Sequence, residues 1–399
     1  MTLLIDPPTW PGHGLVWSHL VSDESFEELH GFAARLGIPP RAFDGDHYDI
    51  PAARYDDVVA AGAVPVSSRE LLERIRAAGL RRRKPGVLRP RARGQPLVRP
   101  RRLAPGDPVA VVAPAGPVPP DRLDRGLQVL ASWGLRVREM PHVRGRHRGL
   151  PHLAAGDAER AADLVTAWCD PDVTAVFCAR GGYGVQRVVD HLDWDALAGA
   201  GPKVLVGFSD VTALHQAFAA RLGVATVHGP VVTSLGAGDD ESRSHLRALL
   251  LEPESVLSMT PEPVPALVPG RAEGILLGGT LALLAAEVGT SSAHPAAGGI
   301  VVLEEVGESP YRVDRMLTQL LRSGWFDGVR GVAVGRLSGC GPEDELRRVL
   351  EDRLVPLGVP VLTGLAVGHS DRNLAVPFGV PAVLDADAGT LVLTEPGLL

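Results

Sequence analysis

Ser209 stands at the break between two patterns. The run Lys203-Val204-Leu205-Val206-Gly207 reads as a short buried strand, and the segment 211–223, VTALHQAFAARLG, has the period of an amphipathic helix. A serine on such a strand-to-helix turn has its hydroxyl pushed out of the sheet, facing the N–H groups that open the helix. Those donors lack partners inside the helix, so they can hold the oxyanion of an acyl-transfer intermediate. The pattern is G-F-S-D-V and not the hydrolase G-x-S-x-G, so a plain Ser N-cap is the alternative. A nucleophilic serine needs a base, and the base needs a carboxylate to orient it. Two further strand ends supply these types. Gly299 to Leu303 passes into Glu304-Glu305-Val306-Gly307, and Val359 to Leu365 leads into Val367-Gly368-His369-Ser370. Ser209, Glu304 and His369 are spaced by 95 and 65 residues, each where an apolar strand gives way to a Gly-containing loop. Singly, each has an ordinary structural role; together they form the pattern of a Ser–His–acid hydrolase.

A glycine loop fits the same chemistry. Arg180-Gly181-Gly182-Tyr183-Gly184 follows the expected strand 175–179 (AVFCA) and precedes a helix from Val185. Glycine lets backbone approach a ligand where a Cβ would clash. A phosphate-binding loop fits less well, because there is no Gly-Lys-Ser/Thr ending and G-G-Y-G is not G-x-G-x-x-G.

Six stretches carry a resemblance: VAVVAPAGP (109–117), CARGGYGVQRVVDHLDWDAL (178–197), KVLVGFSDVTALH (203–215), EGILLGGTLALL (273–284), VVLEEVGESPYRVDRML (301–317) and GLAVGH (364–369). In order and spacing, over residues 105–397, the chain resembles the LD-carboxypeptidase family. These are serine peptidases that trim murein tetrapeptides, with microcin-immunity-type relatives that cleave peptide nucleotides. The resemblance implies Ser209 as nucleophile, Glu304 as triad acid and His369 as general base, with the backbone N–H groups of Gly182 and Asp210 as oxyanion hole. It implies hydrolysis of the amide between an L-centre diamino acid and a terminal D-Ala in peptidoglycan recycling, without metal or cofactor. A murein peptide and a second copy of the chain, as a homodimer, are the expected partners. The substrate ends in a carboxylate, so a cation is needed; Arg180 and Arg312 are the candidates. Two positions depart from the family pattern. Ala115 replaces a usual Ser, and Thr280 replaces the Asn of G-G-N, where a substrate contact is expected. The alternative within the enzyme class is a microcin-immunity-type hydrolase of peptidyl or aminoacyl nucleotides; no aromatic for base stacking occurs between Val224 and Ser242. From another class, the chain would be a catalytically idle binding or regulatory protein, against which the intact Ser, Glu and His weigh.

Length and composition set the frame. At 399 residues, two or three domains are expected, and 45% hydrophobic with 22% charged residues is ordinary for a globular protein. No apolar run approaches the ~20 residues of a membrane span. The start, MTLLIDPPTWPGHG, lacks the basic region and long apolar core of a signal peptide. Cys169, Cys178 and Cys340 form an odd set without C-x-x-C spacing, as expected of free thiols in the cytoplasm. Net charge is −7, yet residues 81–102 hold ten Arg and Lys and no acid. With Pro85, Pro90, Pro96 and Pro100, this stretch reads as an extended linker; lacking interleaved aromatics, it gives no nucleic-acid site.

The elements that must position these groups predict an α/β fold of three parts. Residues 1–80 form a small separate α/β domain, with a strand at 3–5 and helices at 24–36 (capped by Asp23 or Ser22) and 70–78. This part resembles a short bacterial domain of unknown function, through Asp6, Trp10, Trp17, His19, His30, His47, Tyr48 and Asp49. Such histidines and aspartates could bind a metal, but without close ligand spacing they read as internal hydrogen-bonding groups. After a linker over 81–104, residues 105–260 alternate strand and helix as a parallel-sheet domain carrying the nucleophile. Pro261 to Pro269 is the expected connection to a smaller β-rich domain, 270–399, that supplies Glu304 and His369.

Overall fold

The computed structural model describes residues 2–12, 15–43, 46–80, 93–260 and 263–399. The chain divides into two compact units, Met1–Gly86 and Val87–Leu399.

The first unit is a five-stranded sheet with helices. Its strands are β1 (Leu3–Ile5), β2 (Trp10–Gly12), β3 (Leu15–Ser22), β4 (Tyr48–Pro51) and β5 (Val64–Pro65), in the order β2-β3-β1-β5 with β4 also paired to β3. Helix Phe26–Arg35 starts two residues later than expected and is capped by Ser25, whose side chain accepts from the Glu28 N–H. Ser22 lies in β3, where its hydroxyl accepts from the Glu24 and Ser25 N–H groups instead. Helix Ser68–Ala77 is capped in the same way by Ser67. A small core of Leu3, Ile5, Leu20, Leu29, Phe32 and Ile50 holds the unit together.

The second unit contains two sheets. The first is built from β6 (Pro108–Val112), β7 (Arg136–Glu139), β8 (Ala175–Cys178), β9 (Val204–Gly207) and β10 (Thr226–His228). The second uses β11 (Ala266–Val268), β12 (Arg271–Thr280), β13 (Gly299–Val306), β14 (Gly331–Ser338) and β15 (Val361–Thr363). The chain ends with β16 (Val376–Phe378), β17 (Pro381–Asp385) and β18 (Thr390–Leu393). The first sheet runs β16-β10-β9-β8-β6-β7, parallel except for β16, which returns from the C-terminal part to pair antiparallel with β10. The second runs β11-β15-β14-β13-β12-β17-β18, with four parallel strands at its centre. Central strands buried on both faces read as unbroken apolar runs, as β8 and β9 do. One large core spans both sheets, from Val109 and Phe177 to Val302, Val376 and Leu391.

Two expected boundaries differ. Residues 81–92 of the expected linker lie outside the described residues, but 93–104 are packed into the second unit. Leu97 and Leu103 are buried, Val98 bridges to Val224, and the Arg102 N–H donates to the Leu399 carbonyl. Apolar residues every few positions let this Arg-rich stretch lie down on the sheet edge. Of the expected connection 261–269, residues 261–262 are not described, and Ala266–Val268 is an edge strand antiparallel to β15. An edge strand tolerates the flanking prolines because one side needs no ladder donor.

Candidate active site

Ser209 is the one described non-glycine residue with positive φ, at 64°. It follows β9 and Phe208, and opens a tight 3-10 turn, Ser209–Val211, before helix Thr212–Ala217. A side chain held in the left-handed region costs of order 1–3 kcal/mol and persists only where the surroundings over-determine it. Here they do. His215 bonds the Gly207 carbonyl through Nε2 at 2.8 Å and Thr226 Oγ1 through Nδ1 at 2.8 Å, tying the start of the turn to β10. Burial pushes the His215 pKa down to about 3, so the imidazole stays neutral in this role. Arg221, near the end of the helix expected over 211–223, is exposed, but helix Thr212–Ala217 is buried at all six residues. It lies against both β10 and β12, so it has no solvent face.

The groups expected to act together converge. His369 Nε2 lies 2.9 Å from Ser209 Oγ, and His369 Nδ1 lies 2.7 Å from Glu304 Oε2. Glu304 is fully buried in β13, and its second oxygen accepts from Thr280 Oγ1. Burial pushes the Glu304 carboxyl up, but the hydrogen bond and charge of His369, with His228 and Thr280, more than offset this and hold it below its usual range. It is therefore ionised and able to fix the imidazole with Nδ1–H toward it and Nε2 toward the serine. The Phe208 ring stands 4.8 Å from the His369 ring, centroid to centroid, and walls one side.

The adjacent acids Glu304 and Glu305 divide their tasks. Glu305 accepts from the Ala282 N–H at 2.7 Å, capping helix Leu281–Glu287, while Glu304 serves His369. Beside them the β13–β14 ladder slips: Leu303 pairs with Val334 but Glu305 pairs with Leu337. The extra residue on β14 frees the Arg336 N–H to donate to the Val367 carbonyl at 2.9 Å. Gly335 permits that approach, since a Cβ there would lie 2.5 Å from the same oxygen. Asn373 Oδ1 accepts from the Gly368 N–H at 2.8 Å. The loop carrying His369 is thus held from both sides.

The glycine loop meets the serine directly. A Cβ on Gly181 would lie 2.8 Å from Ser209 Cβ and 3.0 Å from its hydroxyl, so only glycine fits. Gly182 follows with φ 118°. Asp210 is buried and accepts from the Val185 N–H at 2.8 Å, which couples the elbow to the helix after the loop. Desolvation raises the Asp210 pKa to about 6. Behind the loop, the buried Arg160 guanidinium donates to the carbonyls of Ala155, Pro114 and Gly184, joining three segments. Sequence reading missed Arg160, although an arginine on the stripe shared by Ala161, Leu164 and Trp168 was a visible signal. His228 was also missed. Both its ring nitrogens are buried without a hydrogen-bond partner among the described residues, and desolvation lowers its pKa to about 4.

The expected substrate contacts fall differently. Thr280 is buried against Glu304, and its N–H donates to Thr212 Oγ1 at 3.1 Å, so it supports the acid instead of facing a ligand. Its short side chain meets its sheet neighbour Glu304 on β13 and accepts from Thr212 Oγ1 at 3.5 Å. Arg180 donates to the Pro117 carbonyl at 2.6 Å, and Arg312 is engaged by Glu308 and the Tyr311 hydroxyl. Ala115 is buried in the core. Beside Phe208 and Ser370 opens a cleft of about 160 Å³, lined also by Arg122, Thr233, Arg243 and Asn373. Arg243 is held by the carbonyls of Leu235 and Gly238 and by Asp240; Arg122 has no ion-pair partner among the described residues.

Family profiles match in three places. The LD-carboxypeptidase N-terminal domain covers residues 109–229 and its C-terminal domain 273–384, while a profile of a protein of unknown function covers 3–78. A Streptomyces coelicolor chain named as a carboxypeptidase is 59% identical over 76% of this chain and 98% of its own length. The murein tetrapeptide carboxypeptidase of Pseudomonas aeruginosa is 36% identical over 70% of this chain and 93% of its own. Among solved structures, muramoyltetrapeptide carboxypeptidase from Oxalobacter formigenes superposes with a TM-score of 0.62 at 32% identity, covering 71% of this chain and 98% of that one. MccF in complex with glutamyl sulfamoyl guanosine superposes with a TM-score of 0.68 at 23% identity, over 75% and 99%, which shows a shared fold.

Proposed function

The chain belongs to the LD-carboxypeptidase family and is a serine carboxypeptidase-like enzyme, and from that premise we propose that it releases terminal D-Ala from murein tetrapeptide in cytoplasmic peptidoglycan recycling. The observation that carries the reading is the continuous hydrogen-bond chain Ser209–His369–Glu304 with the serine on a strained elbow. In this scheme Ser209 Oγ attacks the carbonyl of the L-centre residue while His369 Nε2 takes its proton. The backbone N–H groups of Gly182 and Asp210 hold the resulting oxyanion. His369 then gives the proton to the departing D-Ala amine, and the acyl-enzyme is hydrolysed by water through the same base. Glu304, ionised throughout, stabilises the imidazolium.

The substrate's terminal carboxylate needs a cation that is not already spent. Arg312 is paired with Glu308. Arg180 and Arg122 both lack an ion-pair partner among the described residues, but Arg180 donates to the Pro117 carbonyl, whereas Arg122 lines the cleft beside Phe208 and Ser370. We assign carboxylate recognition to Arg122. Incubation with murein tri-, tetra- and pentapeptides, alongside an aminoacyl sulfamoyl nucleoside, tests the reading. The tetrapeptide should lose D-Ala; cleavage of the nucleoside alone would replace this proposal with a microcin-immunity-type activity.

A further inference from the structure

The N-terminal unit gathers three metal-ligating side chains that have no part in the peptidase chemistry. His19 on β3 pairs across the ladder with Asp49 on β4, so the two side chains share one face. His47 stands immediately before β4, two residues ahead of Asp49, and its Nε2 turns to the Asp49 carboxylate. One ligand atom each from His19, His47 and Asp49 lie within 4.8 Å of one another, the one such group among the described residues. The two rings meet edge to face with centroids 4.7 Å apart.

The hydrogen bonds around the histidines are of a particular kind. His19 Nδ1 lies 3.1 Å from Asp6 Oδ2, and His47 Nδ1 lies 2.7 Å from Asp46 Oδ1. Both aspartates are buried. Asp6 is fixed in turn by Trp10 Nε1 at 3.0 Å, Ser68 Oγ at 2.8 Å and the His19 N–H at 2.6 Å. Each imidazole therefore commits Nδ1–H to a buried carboxylate and leaves Nε2 as its coordinating atom, as metal-bound histidines are usually oriented. His47 Nε2 is 3.3 Å from Asp49 Oδ1. In a tetrahedral site with bonds of about 2.05 Å, ligand atoms stand about 3.3 Å apart. Three carboxylates against two imidazoles leave the group itself net negative, which a divalent cation would offset. His19 and Asp49 keep 24% and 40% of their side chains exposed, so one side of the group is open.

We propose that the N-terminal unit binds a divalent transition-metal ion of the zinc class through His19, His47 and Asp49, with at least one coordination position left open. Two imidazoles and one carboxylate with an open position match sites that present a metal to a ligand, and not closed structural sites.

The full-length protein, stripped with chelator and dialysed, should bind one Zn²⁺ per chain in a calorimetric titration. His47→Gln and Asp49→Asn should each weaken binding by at least about tenfold. His30→Gln, a histidine of the same unit outside the group, should bind like the wild type. Asp49 is partly exposed, so its variant should keep the wild-type circular dichroism. Cobalt substitution adds a readout that simple hydrogen bonding would not move: a visible ligand-field spectrum in the wild type, lost in Asp49→Asn. No saturable binding by the wild type, or equal binding by folded Asp49→Asn and His47→Gln, would overturn the proposal.

Discussion

At the scale of single residues, Thr280 shows how a departure from a family pattern can be absorbed. Its hydroxyl donates to a carboxylate with no access to water, and its N–H is held by Thr212. Thr280→Val keeps the shape and removes the donor, leaving a buried acceptor unsatisfied at a cost of about 1–3 kcal/mol. We expect kcat to fall about tenfold or more with KM little changed; the reverse pattern in steady-state kinetics would return Thr280 to the substrate. Arg122→Ala should do the opposite, raising KM for tetrapeptide by about tenfold or more with kcat largely kept. Asp210 gives a prediction in pH. Its folded-state pKa is raised to about 6 by burial, above its unfolded value, so its ionisation works against the fold. This cost is absent below the unfolded pKa of 3.8 and grows as pH rises toward 6. Asp210→Asn should therefore gain stability relative to the wild type between pH 4 and 7, by on the order of 3 kcal/mol in denaturant titrations. A difference flat with pH would contradict the assignment.

Among the elements, what could be read from sequence depended on whether the cue was local. The strand-to-helix turn at Ser209, the strand 175–178 and helix Asp157–Cys169 were legible, because an apolar run or a 3.6-residue stripe marks each one. Glu304 and His369 were singled out by residue type and the family resemblance, while their expected strand-end placement was inexact: β13 runs on past Glu304 to Val306, and β15 already ends at Thr363, well before His369. The ladder slip beside Glu304 was not, because a bulge depends on the partner strand, here the approach of Val367 to Gly335. Nor was the burial of helix Thr212–Ala217, since Thr212 and Gln216 gain their partners from Thr280 and His294, far along the chain, and His215 gains its own from β9 and β10 only once the sheet has formed. The prolines and arginines of 93–104 masked a packed edge for the same reason: Leu97 and Leu103 are apolar anchors too sparse to show a period. At Gly181 the requirement is steric. Gly181→Ala would set a Cβ 2.8 Å from Ser209 Cβ, and moving the elbow by a fraction of an ångström should cut kcat by about a hundredfold with the fold retained. Activity within threefold of the wild type would show that the loop has slack.

For the molecule as a whole, the chemistry and the small unit are carried by separate stretches of chain. All three groups of the proposed triad and both proposed oxyanion donors lie in Val87–Leu399, while the His19–His47–Asp49 group lies in Met1–Gly86. A fragment 87–399 should therefore fold and keep full tetrapeptide cleavage, whereas one starting at 103 should be less stable, because it loses Leu97 and the Val98 bridge. The chelator EDTA should leave peptide cleavage unchanged, since a Ser–His–Glu hydrolase needs no metal. The most direct test compares D-Ala release from murein tetrapeptide by the wild type and by Ser209→Ala under identical conditions. The wild type should release one D-Ala per tetrapeptide, and the folded variant should fall by several orders of magnitude. Release by the variant within tenfold of the wild type, about 1.4 kcal/mol in barrier, would exclude Ser209 as the nucleophile and contradict the mechanism.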